Sequence, residues 1–304
     1  MLTVHNFSYG LVTPALAYAM SCLGAFLGLR CTTRAMASAG RARLSWLLLA
    51  ALSIGTTGIW VMHFIAMLGY TIPDELIHYS VPITIISMLI AVVVVGIGLL
   101  IVGFARQNWR NLVLAGVFTG IGVASMHYSG MAAMRMPARM TYNPVIFGLS
   151  IVIAIVAATA ALWAALRLRG TGATLGAALI MGVAVSGMHY TGMAAMHLYP
   201  PASGHGMLMN GGGATAETFL LPLIIGISIL AFILTATLAL SPTDQEMREE
   251  QELQDRIEQA LAAISRNQGG VVSGLRTPVQ PGQPVSRTVQ ARRQGDSAEP
   301  LWPG

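Results

Sequence analysis

Two decapeptides of nearly identical sequence place a histidine directly after a methionine inside stretches that are otherwise apolar. They read SMHYSGMAAM at 125–134 and GMHYTGMAAM at 187–196, and a weaker third copy, VMHFIAMLGY, occupies 61–70. A repeat at a nearly fixed period is typical of a chain built from duplicated structural units. The histidine recurs at intervals of 64 and 62 residues, at His63, His127 and His189.

These residue types at this spacing could bind a metal ion. Each histidine is followed four residues later by a methionine, and residues four apart lie on the same face of a helix. A methionine also directly precedes each histidine. A strongly polar side chain within an apolar span is costly and by default indicates a functional site. The candidate metal ligands are therefore Met62, His63, Met67, Met126, His127, Met131, Met188, His189 and Met193.

The combination of donors favours copper. Thioether sulfur selects copper among biologically available metals, whereas imidazole alone is compatible with zinc, iron, nickel or copper. Mg²⁺ and Ca²⁺ require oxygen ligands, which the motif lacks. A single Met-His pair could equally be a packing methionine beside a hydrogen-bonded histidine, but its occurrence three times in one chain favours a bound ion.

The composition predicts apolar helices that hold these pairs within a membrane. Of 304 residues, 55% are hydrophobic and 10% are charged, whereas soluble domains are about 25% charged. Crossing a bilayer core of about 30 Å takes about 20 helical residues. The seven predicted spans lie near 11–29, 44–68, 82–104, 111–134, 144–166, 173–197 and 219–240.

The repeat unit is predicted to be a helical hairpin. One span runs inward, turns at an arginine-rich loop, and a second span runs outward and ends in Met-His. Because a unit holds two spans, the three units share one orientation and are parallel repeats. We therefore predict an all-α polytopic membrane protein with three parallel hairpins and one extra span. Small residues such as Gly116 and Gly120 should let helix backbones approach closely.

Arginine placement predicts the orientation. All seventeen basic residues are arginines, so a retinal Schiff base, which needs a lysine, is excluded. Short cytoplasmic loops retain basic residues, so we expect an outer amino terminus and a cytoplasmic carboxyl terminus in a bacterial plasma membrane. The net charge of +5 reflects this topology and not nucleic-acid binding. The arginines of the predicted inner loops are Arg30, Arg34, Arg41, Arg43, Arg106, Arg110, Arg167 and Arg169.

The residues after the seventh span are predicted to form a separate tail. We assign 1–243 to the membrane domain, 244–266 to a short cytoplasmic amphipathic helix and 267–304 to a disordered segment rich in Gly, Pro, Gln and Ser. The helix could pair weakly with a cytoplasmic signalling partner or with a second copy of the chain, or it could be fully solvated, because two to three heptads are short for a coiled coil.

The motifs resemble those of the bacterial MHYT-domain proteins, which are integral-membrane sensors. MHYT stands intact at 188–191, with MHYS at 126–129 and MHFI at 62–65, and the resemblance covers about 9–240. It implies copper held by the Met and His residues near the outer membrane face, and a response to oxygen, carbon monoxide or nitric oxide. Phe64 and Ile65 depart from the pattern, which weakens any role of hydroxyl groups in the first copy.

Many members of that family continue into cytoplasmic diguanylate cyclase or phosphodiesterase domains, whereas about 60 residues follow the last predicted span here. We find no catalytic nucleophile, acid–base pair or nucleotide motif, and so we predict that the chain is not an enzyme. Two alternatives remain open. A copper transporter or chaperone would need polar groups along the inner halves of the spans, and a haem protein would use two of the histidines as axial ligands.

Overall fold

A computed structural model of the chain describes residues 7–73, 77–106, 108–136, 138–200, 214–240 and 252–261. The chain divides into two units, Met1–Leu240 and Ser241–Gly304. Within the second unit, residues 252–261 form a helix whose side chains are all exposed. The rest of the predicted tail helix and the segment predicted to be disordered lie outside the described residues.

The first unit is built from helices joined by short connections, and most of its strands lie close to the ends of these helices. The helices are α1 (Val12–Ala37), α2 (Gly40–Leu52), α3 (Met62–Leu68), α4 (Val81–Phe104), α5 (Trp109–Ala132), α6 (Pro144–Arg167), α7 (Thr171–Ala194) and α8 (Leu221–Leu240). A π-helix, Ser53–Val61, joins α2 to α3 without a break, and a shorter one, Ala216–Leu220, precedes α8. The strands are β1 (His78–Tyr79), β2 (Met134–Arg135), β3 (Arg139–Tyr142), β4 (Met196–Tyr199) and β5 (Ala214–Thr215).

Six helices of the described chain are long and apolar enough to cross a membrane, and the continuous helix Gly40–Leu68 counts as one of them. The prediction of an all-α polytopic membrane protein is confirmed. Helix α8 lies where the seventh span was predicted, but the apolar stretch described there, Thr218–Ala231, is shorter than the other six. The seventh crossing therefore stays a prediction.

Local sequence explains where the spans begin. Asn143 caps α6, because its side-chain oxygen accepts hydrogen bonds from the backbone N–H groups of Val145 and Ile146. Pro144 follows as the first helical residue, where its missing N–H costs nothing. Asn108 caps α5 in the same way, through the N–H of Asn111 at 2.8 Å. The asparagine and proline before the third unit thus fix its first turn.

Each of the three predicted hairpins is closed by an equivalent backbone hydrogen bond. In each unit, a backbone N–H just before the first helix, or in the turn leading to it, donates to a carbonyl six residues after the motif histidine. This contact ties the beginning of one span to the end of the next and holds the histidine end of every hairpin in the same geometry. The three bonds are Ser8 N to Gly69 O at 3.0 Å, Ser80 N to Ala133 O at 2.8 Å and Asn143 N to Ala195 O at 2.8 Å.

The second span of each hairpin is more deeply buried than the first. The buried shares are 83% against 44% in the first unit, 56% against 39% in the second and 28% against 17% in the third. The histidine-bearing helices α3, α5 and α7 also contact one another. Close approach at Gly120 is confirmed, since a Cβ added there would meet the backbone of Ile155 in α6. The repeated motif therefore lies on the more deeply buried span of each hairpin.

Short strands extend from the histidine-bearing ends of the helices. Strand β1 pairs antiparallel with β2 and with β5, so that His78 lies opposite both Arg135 and Thr215. Strands β3 and β4 form a second antiparallel pair, with Thr141 opposite His197. These strands hold two to four residues each, which is too short for an alternating pattern in the sequence to predict them.

Candidate metal centre

The three repeated histidines meet at one point in the core of the first unit. His63 and His127 are fully buried, and His189 is 1% exposed. Their Nδ1 atoms form a nearly equilateral triangle. Its sides are 3.0 Å from His63 to His189, 3.1 Å from His127 to His63 and 3.3 Å from His189 to His127. The three copies of the motif thus bring their histidines together.

Equivalent positions on three helices produce this convergence. Each histidine lies near the carboxyl end of its span, in α3, α5 or α7. The three imidazole planes are nearly perpendicular to one another, at 82° to 90°. In the first unit, the π-helix Ser53–Val61 lies directly before the motif. A π-helix changes the angle between successive side chains and often occurs near functional sites.

The residue after each histidine packs its ring edge-on against the imidazole. Phe64, Tyr128 and Tyr190 do so with ring centroids 4.8 to 4.9 Å away. Phenylalanine serves as well as tyrosine, so the ring and not the hydroxyl is common to the three units. The hydroxyl of Tyr128 contacts Ser150 Oγ at 2.6 Å.

Hydrogen bonds alone cannot satisfy three Nδ1 atoms in this arrangement. In a neutral imidazole, each Nδ1 is either a donor or an acceptor. Among three nitrogens that are each either a donor or an acceptor, at least two must be of the same kind. Two lone pairs or two N–H groups would then face each other about 3 Å apart. A cation at the centre would remove this conflict, because all three lone pairs could then point at it.

The triangle has the dimensions of a metal site. The centre of a triangle with sides of about 3.1 Å lies about 1.8 Å from each corner, and metal–imidazole bonds measure about 2.0–2.1 Å. The three Nδ1 atoms are therefore spaced so that they could hold one ion together. Among the described residues, His63, His127 and His189 form the one group of three or more His, Cys, Asp or Glu side chains close enough to share an ion.

Ligation through Nδ1 leaves the Nε2 atoms facing the neighbouring helices. Those of His63 and His127 are buried and have no hydrogen-bond partner among the described residues. His63 Nε2 lies over Gly130 and His127 Nε2 lies over Gly192, where an added Cβ would collide with the imidazole. The glycine three residues after the second and third motif histidines therefore makes room for the imidazole of another repeat. The sequence alone does not reveal this role.

The six predicted methionine ligands are all buried in the same unit. Their exposed fractions run from 0% for Met67 and Met131 to 8% for Met193. The three histidine nitrogens provide three coordination positions for an ion. Ligation by a methionine sulfur stays a prediction. The six residues are Met62, Met67, Met126, Met131, Met188 and Met193.

Two tyrosines near the strands remain neutral at ordinary pH. Burial raises the pKa of Tyr70, and the nearby Tyr142 raises it further. Burial likewise raises the pKa of Tyr79, with Tyr70 adding to the effect. Because Tyr79 packs against Phe64, at a centroid distance of 6.0 Å, it lies close to the first motif.

The two other histidines among the described residues, His78 and His197, do not join the cluster. His197 lies in β4, paired with β3, and its buried Nδ1 has no hydrogen-bond partner among the described residues. His78 lies in β1. The described residues do not include His5, His205, Met207 and Met209.

An apolar cavity of about 60 Å³ lies along the histidine-bearing spans, beside residues that precede the histidines in sequence. Its lining includes Gly58, Val123 and Val185, which precede the motif histidines by four or five residues, and also Met188. Alanines of α6, such as Ala158, form much of its opposite wall. A cavity of this kind stays dry and admits small apolar molecules.

Comparison with known proteins identifies the repeats. Residues 57–115 and 120–178 match the family model MHYT, described as the bacterial signalling protein N-terminal repeat. The chain is 38% identical over 240 residues to the bifunctional diguanylate cyclase/cyclic di-GMP phosphodiesterase MucR of Pseudomonas aeruginosa, which covers 76% of this chain and 35% of that protein. It is 39% identical over 205 residues to the cyclic di-GMP phosphodiesterase NbdA of the same organism, and the match covers 66% of this chain and 26% of that protein.

A third relative is an uncharacterized signaling protein of Caulobacter vibrioides, 34% identical over 209 residues, which are 67% of this chain and 24% of that protein. The matched region thus spans between a quarter and about a third of these relatives' lengths. No solved structure matches the chain.

Proposed function

Because the chain belongs to the MHYT family of bacterial signalling repeats, we propose that its membrane domain is a sensor in which His63, His127 and His189 hold a copper ion. The observation that carries the proposal is the triangle of three buried Nδ1 atoms with sides of 3.0 to 3.3 Å. When bound, the ion would supply an open coordination position for a small ligand. The protein's part is to orient three imidazoles and exclude water.

Copper is favoured over zinc by the surrounding residues. Three imidazoles suit either metal, but thioether sulfur favours copper. Six buried methionines lie on the same three helices, each one or four residues from a histidine. No Asp or Glu side chain belongs to the cluster, so a hard cation would lack its preferred ligands.

A diatomic gas is the proposed stimulus. The apolar cavity of about 60 Å³ runs along the histidine-bearing spans as far as Met188, which directly precedes His189. Oxygen, carbon monoxide and nitric oxide are small and apolar enough to enter such a space, and each can bind copper. Occupancy could then shift the packing of the three hairpins, provided that the gas binds two arrangements with different affinity.

The cavity supports a sensor over a copper transporter. An ion that crosses the bundle needs polar side chains to replace its water shell, and charged groups are costly at membrane depth. The lining from Met188 to Leu29 is almost entirely apolar, with Ser21 and Thr119 as its hydroxyl residues. We therefore place copper at the histidine end of the bundle as a resident ion.

The histidine geometry also argues against a bis-histidine haem. Two axial imidazoles bind opposite faces of the macrocycle, so their nitrogens would be about 4 Å apart with the porphyrin plane between them. Here three nitrogens face one point at 3.0 to 3.3 Å. The absence of a Soret band from purified protein would agree with this conclusion.

Metal analysis of detergent-purified protein tests the proposal. We expect about one copper per chain in the wild type and a loss of most of it in the triple variant His63→Ala, His127→Ala, His189→Ala. A control variant, His78→Ala with His197→Ala, removes two histidines of the strands and should keep the metal. Equal copper content in all three proteins would refute the site.

A further inference from the structure

A second pocket lies at the opposite ends of the helices, away from the histidines. It has a volume of about 170 Å³ and lies where α4 ends, α5 begins and α6 ends. Neither the metal proposal nor the family comparison gives it a role. Its polar and aromatic lining consists of Arg106, Asn108, Trp109, Asn111, Trp163 and Arg167.

Local hydrogen bonds fix the loop that carries one of its arginines. The Asn111 side chain donates to the Arg106 carbonyl at 2.9 Å, and the Asn108 side chain accepts from the Asn111 backbone at 2.8 Å. These two hydrogen bonds hold the segment that includes Arg106 in place beside the pocket.

The two guanidinium groups of the pocket have no described partner. Arg43 donates to two backbone carbonyls, and Arg169 donates to one. By contrast, no hydrogen bond or ion pair of the Arg106 or Arg167 side chain occurs among the described residues, and no carboxylate lines the pocket. Two cationic groups beside one cavity favour an anion as its occupant.

The rest of the lining favours an amphiphile. Trp109 is 71% exposed and Trp163 is 49% exposed, at the ends of spans where tryptophan marks the membrane–water interface. Leu112 and Leu166 add apolar wall below the arginines. An occupant with a negative head and an apolar body would match both parts of the pocket, whereas a free ion would leave the apolar wall uncovered.

We propose that this pocket binds the phosphate of an anionic phospholipid. A guanidinium group binds phosphate oxygens through paired N–H groups, and the tryptophans cover the first part of the acyl chains. A zwitterionic lipid also carries a phosphate, but its ammonium group would meet two arginines and no carboxylate. Phosphatidylglycerol should therefore bind in preference to phosphatidylcholine.

Native mass spectrometry of the purified full chain, titrated with each lipid, tests the proposal. The variant Arg106→Gln with Arg167→Gln should bind phosphatidylglycerol at least about tenfold more weakly, since it removes both guanidinium groups that line the pocket and would bind the phosphate. The matched control, Arg110→Gln with Arg169→Gln, removes the same charge from the same face outside the pocket and should bind as the wild type does. Equal loss in both variants would overturn the proposal, because general surface charge would then explain the binding.

Two further arms need no variant. Phosphatidylglycerol brominated on its acyl chains should quench tryptophan fluorescence at a lower mole fraction than brominated phosphatidylcholine, and equal quenching would overturn the preference. Inorganic phosphate at millimolar concentration should leave the bound lipid in place. Complete displacement by phosphate would overturn the lipid as occupant and identify a site for free phosphate.

Discussion

Each of the three converging imidazoles lies six residues before the carbonyl that closes its hairpin. The identity of these histidines was predictable from their repetition. The atoms that face the centre were not predictable, because the choice between Nδ1 and Nε2 depends on helix rotation. The sequence GMHYTGMAAM also concealed the role of its second glycine, since a pattern within one helix does not show which residue of another helix lies over it.

The equivalent glycine of the second unit, Gly130, allows a test at the level of single residues. In Gly130→Ala, the new Cβ would lie 2.5 Å from His63 Nε2, so the imidazole must turn and its Nδ1 must leave the triangle. We expect metal affinity to fall by about 10- to 100-fold, as for other changes that disturb the orientation of a ligand. Competition with a chelator of known affinity measures the change.

Gly187→Ala is the matched control, because it lies two residues before His189 and a Cβ there meets nothing within 4 Å. It should bind metal as the wild type does. If Gly130→Ala kept wild-type affinity, the close packing of imidazole on glycine would have no part in holding the site.

At the level of helices, the sequence predicted the hairpins well and the details of their packing less well. Apolar length located six spans, and Asn143 with Pro144 marked the start of α6. The π-helix Ser53–Val61 was not predicted. Within it, Gly55 lies against α4 and Gly58 against α1, and the local sequence does not show such contacts between helices. Whether α8 crosses the membrane stays a prediction.

Close helix packing predicts opposite effects for two glycines. Gly120→Ala would push a Cβ into the backbone of Ile155, and such overpacking typically costs about 1–3 kcal/mol in free energy of unfolding. Gly176→Ala has open space around it and should be neutral or stabilising, because alanine favours helix over glycine by up to about 1 kcal/mol. Unfolding in detergent, followed by circular dichroism, measures both. Equal stability of the two variants would contradict the packing of α5 on α6.

At the level of the whole membrane domain, the repeat places a polar cluster at one end of an apolar cavity. Composition predicted apolar spans, but it could not locate the cavity, because the space arises where residues of six helices fail to meet. The short strands near the histidine ends also escaped prediction, because their pairing joins segments far apart in sequence. The direction in which the domain is inserted stays a prediction from the arginine bias.

The proposed gas path predicts that filling the cavity weakens gas binding without removing the metal. Ala158→Ile places added carbons in the cavity and should lower the affinity for carbon monoxide several-fold, as measured from the infrared band of the bound gas. Ala160→Ile, on the exposed side of the same helix, is the control and should leave that affinity unchanged. If both variants bound carbon monoxide like the wild type, the cavity would not be the route or the docking space for the gas.

X-ray absorption at the copper edge tests the central claim most directly, because it reports the atoms bound to the metal. For wild-type protein we predict about three nitrogen neighbours at about 2.0 Å with the scattering pattern of imidazole, and a sulfur neighbour near 2.3 Å if a methionine also binds. The triple histidine variant should lose the nitrogen shell. A spectrum without imidazole scattering, or one that is unchanged in the variant, would contradict a metal site formed by His63, His127 and His189.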